Sequence, residues 1–287
     1  MIKLTSGEAV ATFITMGAEA RTWRVGAHEL LWPGDPAIWP QISPILFPVC
    51  GWTRDGARVD GKPYALGLHG FAARLDFAVA ERREDFARLE TREDSSTLAV
   101  YPFAFRLALE YRLTADSLAM AIEVANPGDA PMPYACGLHP GFRWPFADGA
   151  REGSYVEFAN DEDPMVPVMA PGGLIGKTKR RVPLQGRRLM IDDALFANDA
   201  NCFLSSNSRS LTFAQANGAS ITMDFPSFPH VALWRRQGAP YLCLEPWTGY
   251  SDPEGFKGEL SQKPSMTLLE PGGKARHEAA YRFTPPK

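Results

Sequence analysis

The sequence lacks closely spaced cysteines, a strong charge of either sign and any long apolar run. Its formal net charge of −3 gives no electrostatic reason to expect nucleic acid or an anionic membrane as a partner. No apolar run approaches the roughly 20 residues of a membrane span, and the N-terminal stretch lacks the uninterrupted apolar core of a signal peptide. The cysteines fit neither a zinc knuckle nor a redox pair, so we expect free buried thiols and a cytoplasmic protein. They are Cys50, Cys136, Cys202 and Cys243.

A sustained helical stripe is also missing, and the dominant periodicity is two. Large apolar residues alternate with smaller or polar ones over 105–113 and again over 118–124, with Ala115-Asp116 as a short turn between them. This pattern predicts a β-hairpin with one buried face. A second hairpin signal is Asn217-Gly218, directly before the alternating residues 221–225. We therefore predict an all-β fold, a large antiparallel β-sandwich formed by one domain over residues 1–287.

Weaker patterns extend this prediction along the chain. Two stretches, 32–70 and 143–200, are rich in proline and glycine and are predicted to be long loops, which are usually functional inside an all-β domain. One or two helical turns are predicted around 253–260. Further strands are predicted over 9–15, 19–25, 75–80, 132–138, 201–205, 210–214, 230–235, 240–245 and 277–283.

The five histidines are the first candidates for chemistry, because imidazole exchanges protons near neutral pH. His28 and His277 lie in polar surroundings and are predicted to be surface groups, and His230 at a strand start is predicted to be structural. His69 and His139 differ, since each is flanked by glycine and followed within three residues by phenylalanine. Glycine lets the backbone approach a ligand closely. The alternative for both is a hydrogen-bonded loop histidine.

Glu245 is the third candidate, because it ends an apolar strand and is followed by Pro246-Trp247. A buried glutamate is normally either paired with a positive charge or part of a functional site, so the alternative is a salt bridge to an arginine. The chain has no HExxH, GxSxG or GxxxxGK[ST] motif. A metal site built from His69, His139 and Glu245 has no supporting ligand spacing, and we expect no metal.

Taken in order, these segments resemble the aldose 1-epimerase family, within the galactose mutarotase-like superfamily. The resemblance covers most of the chain, is thin between about 143 and 195, and is closest to the bacterial aldose 1-epimerase-like branch. The matching segments are Pro44–Val49, His69-Gly70-Phe71, His139-Pro140-x-Phe142, Phe228-Pro229 with Trp234, Pro240–Gly249 and Leu269-x-Pro271-Gly272.

This resemblance implies a β-supersandwich fold and a set of roles. Glu245 would be the general base, His139 the general acid, and His69 would bind and polarise the sugar near its ring oxygen. The two catalytic groups would face one cavity, a sugar's width apart. A sugar-binding aspartate maps to Asp199, with Asp193 as the rival. Trp247, Trp234 and Phe71 would stack on the sugar or, as an equal alternative, pack in the core.

Two departures from the family concern arginines. Trp52 stands where the family commonly has arginine, with Arg54 two residues later, and Ala73 stands where a second arginine is usual, with Arg74 next. A guanidinium can fork onto two hydroxyls or a phosphate, so Arg54 is a candidate sugar ligand. The alternative places Arg54 in solvent beside Asp55.

The predicted function is an isomerase that interconverts the α and β anomers of a free or phosphorylated aldose by acid–base ring opening and closure. The reaction has no redox step, so we expect no cofactor and only a small-molecule sugar as partner; the protein would be a monomer or a homodimer. The alternative is a carbohydrate-binding or sensing protein that has lost catalysis. A fainter one is a lyase or a different isomerase step with the same acid–base pair.

Overall fold

Antiparallel strands joined by turns make up most of the structure, a computed structural model that describes residues 1–287. One α-helix, α1 (Ser95–Leu98), and three 3₁₀ helices, at Ala72–Arg74, Ala194–Phe196 and Leu260–Gln262, interrupt them. In chain order the strands are β1 (Ile2–Ser6), β2 (Ala9–Phe13), β3 (Ala20–Val25), β4 (His28–Glu29), β5 (Ile45–Leu46), β6 (Ala57–Val59), β7 (Lys62–Tyr64), β8 (Ala78–Arg82), β9 (Phe86–Arg92), β10 (Arg106–Leu113), β11 (Ser117–Ala125), β12 (Met132–Tyr134), β13 (Gly137–Leu138), β14 (Gly141–Arg143), β15 (Tyr155–Phe158), β16 (Met165–Ala170), β17 (Leu174–Arg181), β18 (Leu184–Gln185), β19 (Arg188–Met190), β20 (Asn201–Phe203), β21 (Ser210–Ala214), β22 (Ser220–Asp224), β23 (His230–Trp234), β24 (Tyr241–Trp247), β25 (Thr267–Leu269) and β26 (Lys274–Thr284).

Two large sheets contain most of these strands. One has ten strands in the order β18-β19-β15-β21-β22-β26-β11-β10-β9-β8. The other has the order β20-β23-β24-β13-β5, with β14 also paired to β24. A four-stranded sheet, β1-β2-β3-β4, and the pairs β6-β7, β12-β25 and β16-β17 complete the fold. The predicted class, a large antiparallel β-sandwich, is confirmed.

The predicted period-two hairpins are present in the ten-stranded sheet. Strands β10 and β11 pair from Arg106↔Ala125 to Leu113↔Leu118. Along β10 the alternating large residues are buried, whereas Arg106 and Arg112 are exposed. In the second hairpin, Gly218 has a positive φ of 88° in the turn between β21 and β22, a conformation that glycine adopts without steric cost.

Strand β24 is buried on both faces, which explains its nearly continuous apolar sequence. Leu242 and Leu244 belong to the main core, and the Tyr281 hydroxyl of β26 donates a hydrogen bond to the Leu244 carbonyl at 3.4 Å. Because successive side chains of a strand point to opposite faces, Cys243 and Glu245 face away from the ten-stranded sheet. Loop residues from 32–70 cover that second face, where Trp39 packs against Cys243.

The segment 143–200 is the main error of the sequence prediction. It was predicted to be a loop, but it contains the five strands β15 to β19. The β16–β17 hairpin (Met165–Arg181) shows why these strands have no recognisable period-two pattern in the sequence. Pro167 interrupts β16, where the register shifts between Pro167 and Met169, and the second half of β17 is charged and largely exposed. Such a hairpin has no strict alternation of buried and exposed residues.

Smaller corrections concern two other segments. The strand predicted over 132–138 is split into β12 and β13, which pair with different partners. The helical turns predicted around 253–260 are reduced to a turn at Glu254-Gly255 and the 3₁₀ helix that starts at Leu260.

The cysteines are all buried free thiols, as predicted. Among the helices, none is long and apolar enough to span a lipid bilayer.

Candidate active site

Glu245 and His139 meet at the centre of the six-stranded sheet. Their positions follow from a break between β13 and β14, which pair with β24 at Gly137↔Trp247 and Gly141↔Cys243. His139-Pro140 occupies this break, and proline cannot donate a ladder hydrogen bond, so the strand is interrupted opposite Glu245. The interruption brings His139 Nε2 to 3.2 Å from Glu245 Oε2.

This contact differs from the sequence prediction in one respect. The two groups lie together, as expected, but they touch directly and are not separated by the width of a sugar. Both are buried, with exposed fractions of 7% for His139 and 1% for Glu245. Neither carboxylate oxygen accepts a hydrogen bond, and no arginine forms an ion pair with Glu245. The alternative of a structural arginine salt bridge is therefore not what the structure contains.

Burial shifts the proton affinities of this pair in opposite directions. Loss of hydration raises the pKa of the Glu245 carboxyl well above its ordinary value of 4.5, and the negative charge of Asp199 adds to the effect. Loss of hydration lowers the pKa of His139 well below 6.5, and His69 lowers it further. Both shifts disfavour charge, so they favour the uncharged form of the pair, in which its single proton is on Glu245.

His69 lies beside this pair in a loop with an unusual backbone conformation. Its φ of 57° is in the left-handed region, and its ring is perpendicular to that of His139 at a centroid distance of 5.4 Å. The Gly51 N–H donates a hydrogen bond to His69 Nδ1 at 3.0 Å, and the His69 N–H donates to the Gly51 carbonyl at 2.9 Å. An Nδ1 atom that accepts a hydrogen bond carries no proton, so the imidazole is neutral and protonated on Nε2.

The structure places the two rival aspartates in different surroundings. Asp199 accepts a hydrogen bond from the Trp234 indole N–H at 2.8 Å, and its charge acts on Glu245. Asp193 instead pairs with Arg235, whose side chain is fully buried. Asp199 therefore belongs to the cluster around Glu245, whereas Asp193 compensates a structural arginine.

Three tryptophans form the walls around the histidines. The ring centroids of Trp39 and Trp234 lie 5.2 and 5.5 Å from that of His139. Trp247 lies 6.3 Å from His69, and its buried indole N–H has no hydrogen-bond partner. Sequence reasoning missed Trp39, which lies in the proline-rich segment 32–70. The only signal was a tryptophan within a long loop, where loops often contribute to sites.

Phe71, predicted to stack on the sugar or to fill the core, lies in the core. Its ring packs against Tyr101 and Phe105 at centroid distances of 6.0 and 5.6 Å. It belongs to the main cluster of 64 buried residues, away from the face of β24 that holds Glu245.

The displaced arginines do not join the cluster. The guanidinium of Arg54 is half-exposed, lies 3.8 Å from the Asp55 carboxylate and has no hydrogen bond to a cluster residue. Arg74 donates a hydrogen bond to the Gly70 carbonyl at 2.7 Å, next to His69 in the chain. Trp52 packs on Gly173 at the tip of the β16–β17 hairpin, where an added Cβ would lie 2.4 Å from the indole. The structure thus shows no guanidinium in contact with His69, His139 or Glu245.

Cys243 lies on the same face of β24 as Glu245 and close to His139. One donor atom each of His139, Cys243 and Glu245 lie within 4.8 Å of one another. Burial, and then the charge of Glu245, raises the pKa of the Cys243 thiol well above 9.0. A metal would have to displace protons from this set, which binds soft divalent ions such as zinc better than magnesium or calcium.

Comparison with known proteins shows the family and agrees with the fold. The sequence profile of the aldose 1-epimerase family matches residues 1–282. The chromosomal LacX protein of Lactococcus lactis subsp. lactis is 30% identical over 283 residues, which cover 94% of this chain and 95% of that protein. A galactose mutarotase-like protein from Lactobacillus casei is 26% identical with a TM-score of 0.92, over 99% of this chain and 100% of that one. A galactose mutarotase related enzyme from Lactobacillus acidophilus is 25% identical with a TM-score of 0.91, over 100% and 98%.

Proposed function

Because the chain belongs to the aldose 1-epimerase family, we propose that it is an isomerase that interconverts the α and β anomers of an aldose. The observation that carries this proposal is the buried contact between His139 and Glu245, with His69 beside it. These groups are an acid, a base and a neutral donor within one cluster, which is the set that pyranose ring opening requires.

In the proposed reaction, the Glu245 carboxylate removes the proton of the anomeric hydroxyl while His139 donates a proton to the ring oxygen. The bond between C1 and the ring oxygen breaks, and the electron pair of the former O–H bond forms the carbonyl. After rotation about the C1–C2 bond, the hydroxyl formed from the ring oxygen attacks the other face of the carbonyl. His139 takes its proton back from that hydroxyl, Glu245 returns its proton to the carbonyl oxygen, and the ring closes with inverted C1. Each positioned group can contribute roughly 10²–10⁴ in rate.

The shifted proton affinities favour both transfers. A carboxylate with a raised pKa is a stronger base, and an imidazolium with a lowered pKa is a stronger acid. The reactive form is the minor one, with the single proton of the pair on His139. A sugar that separates the two groups replaces their mutual contact with contacts to its own oxygens.

The other cluster residues would hold the sugar. His69 offers its Nε2–H as a neutral hydrogen-bond donor near the ring oxygen. The exposed Asp199 carboxylate can accept hydrogen bonds from sugar hydroxyls, and Trp39, Trp234 and Trp247 present faces for the C–H side of the ring.

The expected pH dependence follows from the same shifts. Activity requires that the His139–Glu245 pair carry one proton in total. It therefore falls at low pH, where His139 takes up a proton while Glu245 is also protonated. Because its pKa is well below 6.5, this acidic limb lies well below 6.5. Activity falls at high pH when the pair loses its proton, and this limb lies well above 4.5 because the pKa of Glu245 is raised. The profile is therefore a broad bell.

Polarimetry tests the proposal directly. Fresh α-D-glucose, α-D-galactose and their 6-phosphates are followed with wild-type protein, with Glu245→Gln and with no protein. We expect the wild type to accelerate the rotation change for at least one sugar, and Glu245→Gln to lose about 10² or more of that rate while still binding sugar. Equal rates with and without protein across the panel would contradict the proposal.

The second candidate, a carbohydrate-binding protein without catalysis, is favoured by one observation. Trp52 replaces a common family arginine, and Arg54 pairs with Asp55 instead. Sugar binding by calorimetry without any acceleration of mutarotation would support this function over the first.

We also place the protein in a reducing compartment, the cytoplasm, because its four cysteines are free thiols. Cell fractionation tests this assignment.

A further inference from the structure

A buried ion pair lies behind His69 and has no role in the mechanism above. Lys263 Nζ is 3.1 Å from Asp252 Oδ1, and the two residues are only 3% and 4% exposed. Lys263 follows the 3₁₀ helix Leu260–Gln262, and Asp252 follows β24. Burying such a pair costs desolvation energy, so it is weak support for stability by itself. The hydrogen bonds of Asp252 instead indicate a role in holding the neighbouring loop.

Asp252 fixes the loop that contains Trp52. Its second carboxylate oxygen accepts a hydrogen bond from the Arg54 backbone N–H at 2.8 Å, and the Asp252 N–H donates to the Trp52 carbonyl at 2.8 Å. The Trp52 N–H donates to Ser251 Oγ at 3.0 Å. An added Cβ at Gly51 would lie 2.1 Å from Ser251 Oγ, so the backbone at Gly51 packs against Ser251 too closely for any side chain.

The same loop binds His69 through Gly51. The Gly51 N–H donates to His69 Nδ1, and the Gly51 carbonyl accepts from the His69 N–H. A continuous series of contacts thus runs from Lys263 through Asp252 and the Trp52 loop to the imidazole. Protonation of Nδ1 would break this series, because an imidazolium has no acceptor atom for the Gly51 N–H.

The charges around His69 act in the same direction. Loss of hydration, and after it the positive charge of Lys263, lower the pKa of His69 to about 4. The facing His139 is itself uncharged, because burial lowers its pKa. Cys50, beside Lys263, is a neutral thiol whose pKa burial raises to about 12. The loop of His69, Leu66–Gly70, has no other ionisable side chain.

We propose that the Lys263–Asp252 ion pair is a positioning device for His69, which holds the Trp52 loop against Nδ1 and keeps the imidazole neutral with its proton on Nε2. Lys263 and Asp252 act through His69 and do not touch the sugar. A hydrogen bond from the His69 Nε2–H to a sugar rests on the proposed function. The tautomer of His69 does not depend on that function, and it can be measured without any substrate.

The experiment is a histidine-ring NMR titration of the full chain between pH 3.5 and 8. In the wild type we expect His69 to stay neutral with the proton on Nε2 from pH 5 to 8 and to gain a second proton only near its pKa of about 4. The informative variant is Lys263→Met with Asp252→Asn, because it removes both charges but leaves an amide oxygen for the Arg54 N–H. Its His69 pKa is expected to rise, by less than about 1 pH unit, because loss of the Lys263 charge raises the pKa while loss of the Asp252 charge opposes part of that rise. Lys263→Met alone leaves a buried carboxylate and should raise the pKa further.

Lys257→Met is the matched control, because Lys257 is exposed in the same segment. It should change neither the tautomer nor the pKa of His69. A wild-type His69 with its proton on Nδ1, or one that titrates near 6.5, would overturn the proposal even if the variants fail to fold. A folded double variant with an unchanged His69 titration would also overturn it, and would leave the ion pair with a structural role only. If the wild type shows no mutarotation, these NMR outcomes still decide the tautomer.

Discussion

Glu245→Gln should remove activity and at the same time stabilise the protein at neutral pH. Glu245 is 1% exposed, neither carboxylate oxygen accepts a hydrogen bond, and the negative charge of Asp199 opposes its ionisation. Glutamine keeps the shape of the side chain but carries no charge. A carboxylate held in such a place is expected to reduce stability, a cost that the proposed catalytic role would explain.

The size of the effect follows from proton linkage. The folded-state pKa of Glu245 is raised well above 4.5, so above pH 4.5 the folded chain retains a proton that the unfolded chain releases. The free energy of unfolding of the wild type then falls by about 1.4 kcal/mol per pH unit, until the pH reaches the folded-state pKa. Glu245→Gln lacks this loss. At pH 7 the variant should be more stable than the wild type by up to about 3 kcal/mol, or about 5 °C in melting temperature.

Thermal or urea unfolding of both proteins from pH 4.5 to 8 measures this difference, and polarimetry measures the loss of turnover in the same samples. Glu110→Gln is the control with the opposite sign. Burial alone would raise the pKa of Glu110, but hydrogen bonds from Arg88 and Arg276 outweigh burial and lower it. The stability that Glu110 contributes through its lowered pKa is complete above its ordinary value of 4.5, so Glu110→Gln should be less stable than the wild type by a nearly constant amount from pH 4.5 to 8. A Glu245→Gln variant that is less stable than the wild type by the same amount at every pH would refute the reasoning.

The remaining predictions concern single side chains. Asp199→Asn should weaken sugar binding about tenfold or more. Asp193→Asn should leave sugar affinity unchanged but lower the melting temperature, because the buried guanidinium of Arg235 loses its charged partner. Arg54→Ala should leave sugar affinity within about twofold in titrations; a loss of about 1.5–3 kcal/mol would instead support a direct sugar contact. A chelator should not change turnover, while zinc should inhibit the wild type and inhibit Cys243→Ser about tenfold less. His139→Asn should lose turnover as Glu245→Gln does, without loss of sugar binding.

The fold was predictable where burial has a strict period. Leu107 and Leu109 alternate with residues of the opposite face, and this local signal predicted the β10–β11 hairpin, which lies within the ten-stranded sheet. The β16–β17 hairpin was missed because its bulge at Pro167 and its charged second strand leave no such period.

Within the candidate site, unusual local chemistry made positions 69, 139 and 245 candidates, as glycine-flanked histidines and a glutamate in an apolar strand. Their roles were implied only by the family resemblance. Asp252 and Lys263 gave no comparable signal. A lysine in a polar segment is expected to be solvated, and only a contact between distant parts of the chain shows that it is buried. The separation of His139 and Glu245 was also beyond sequence reasoning, since a motif identifies residues but not the distance between their side chains.

Under the proposed function, the direct contact between His139 and Glu245 makes the resting site self-inhibited. Each group would occupy the place that the other keeps for a sugar oxygen, so an arriving sugar would compete with an internal ligand. The apparent affinity for sugar would be the intrinsic affinity minus the free energy of separating the pair. A parting free energy of about 1.4 kcal/mol raises the dissociation constant tenfold. Weak sugar binding would then be a built-in property of this pair, and a variant that keeps the two groups apart would bind sugar more tightly.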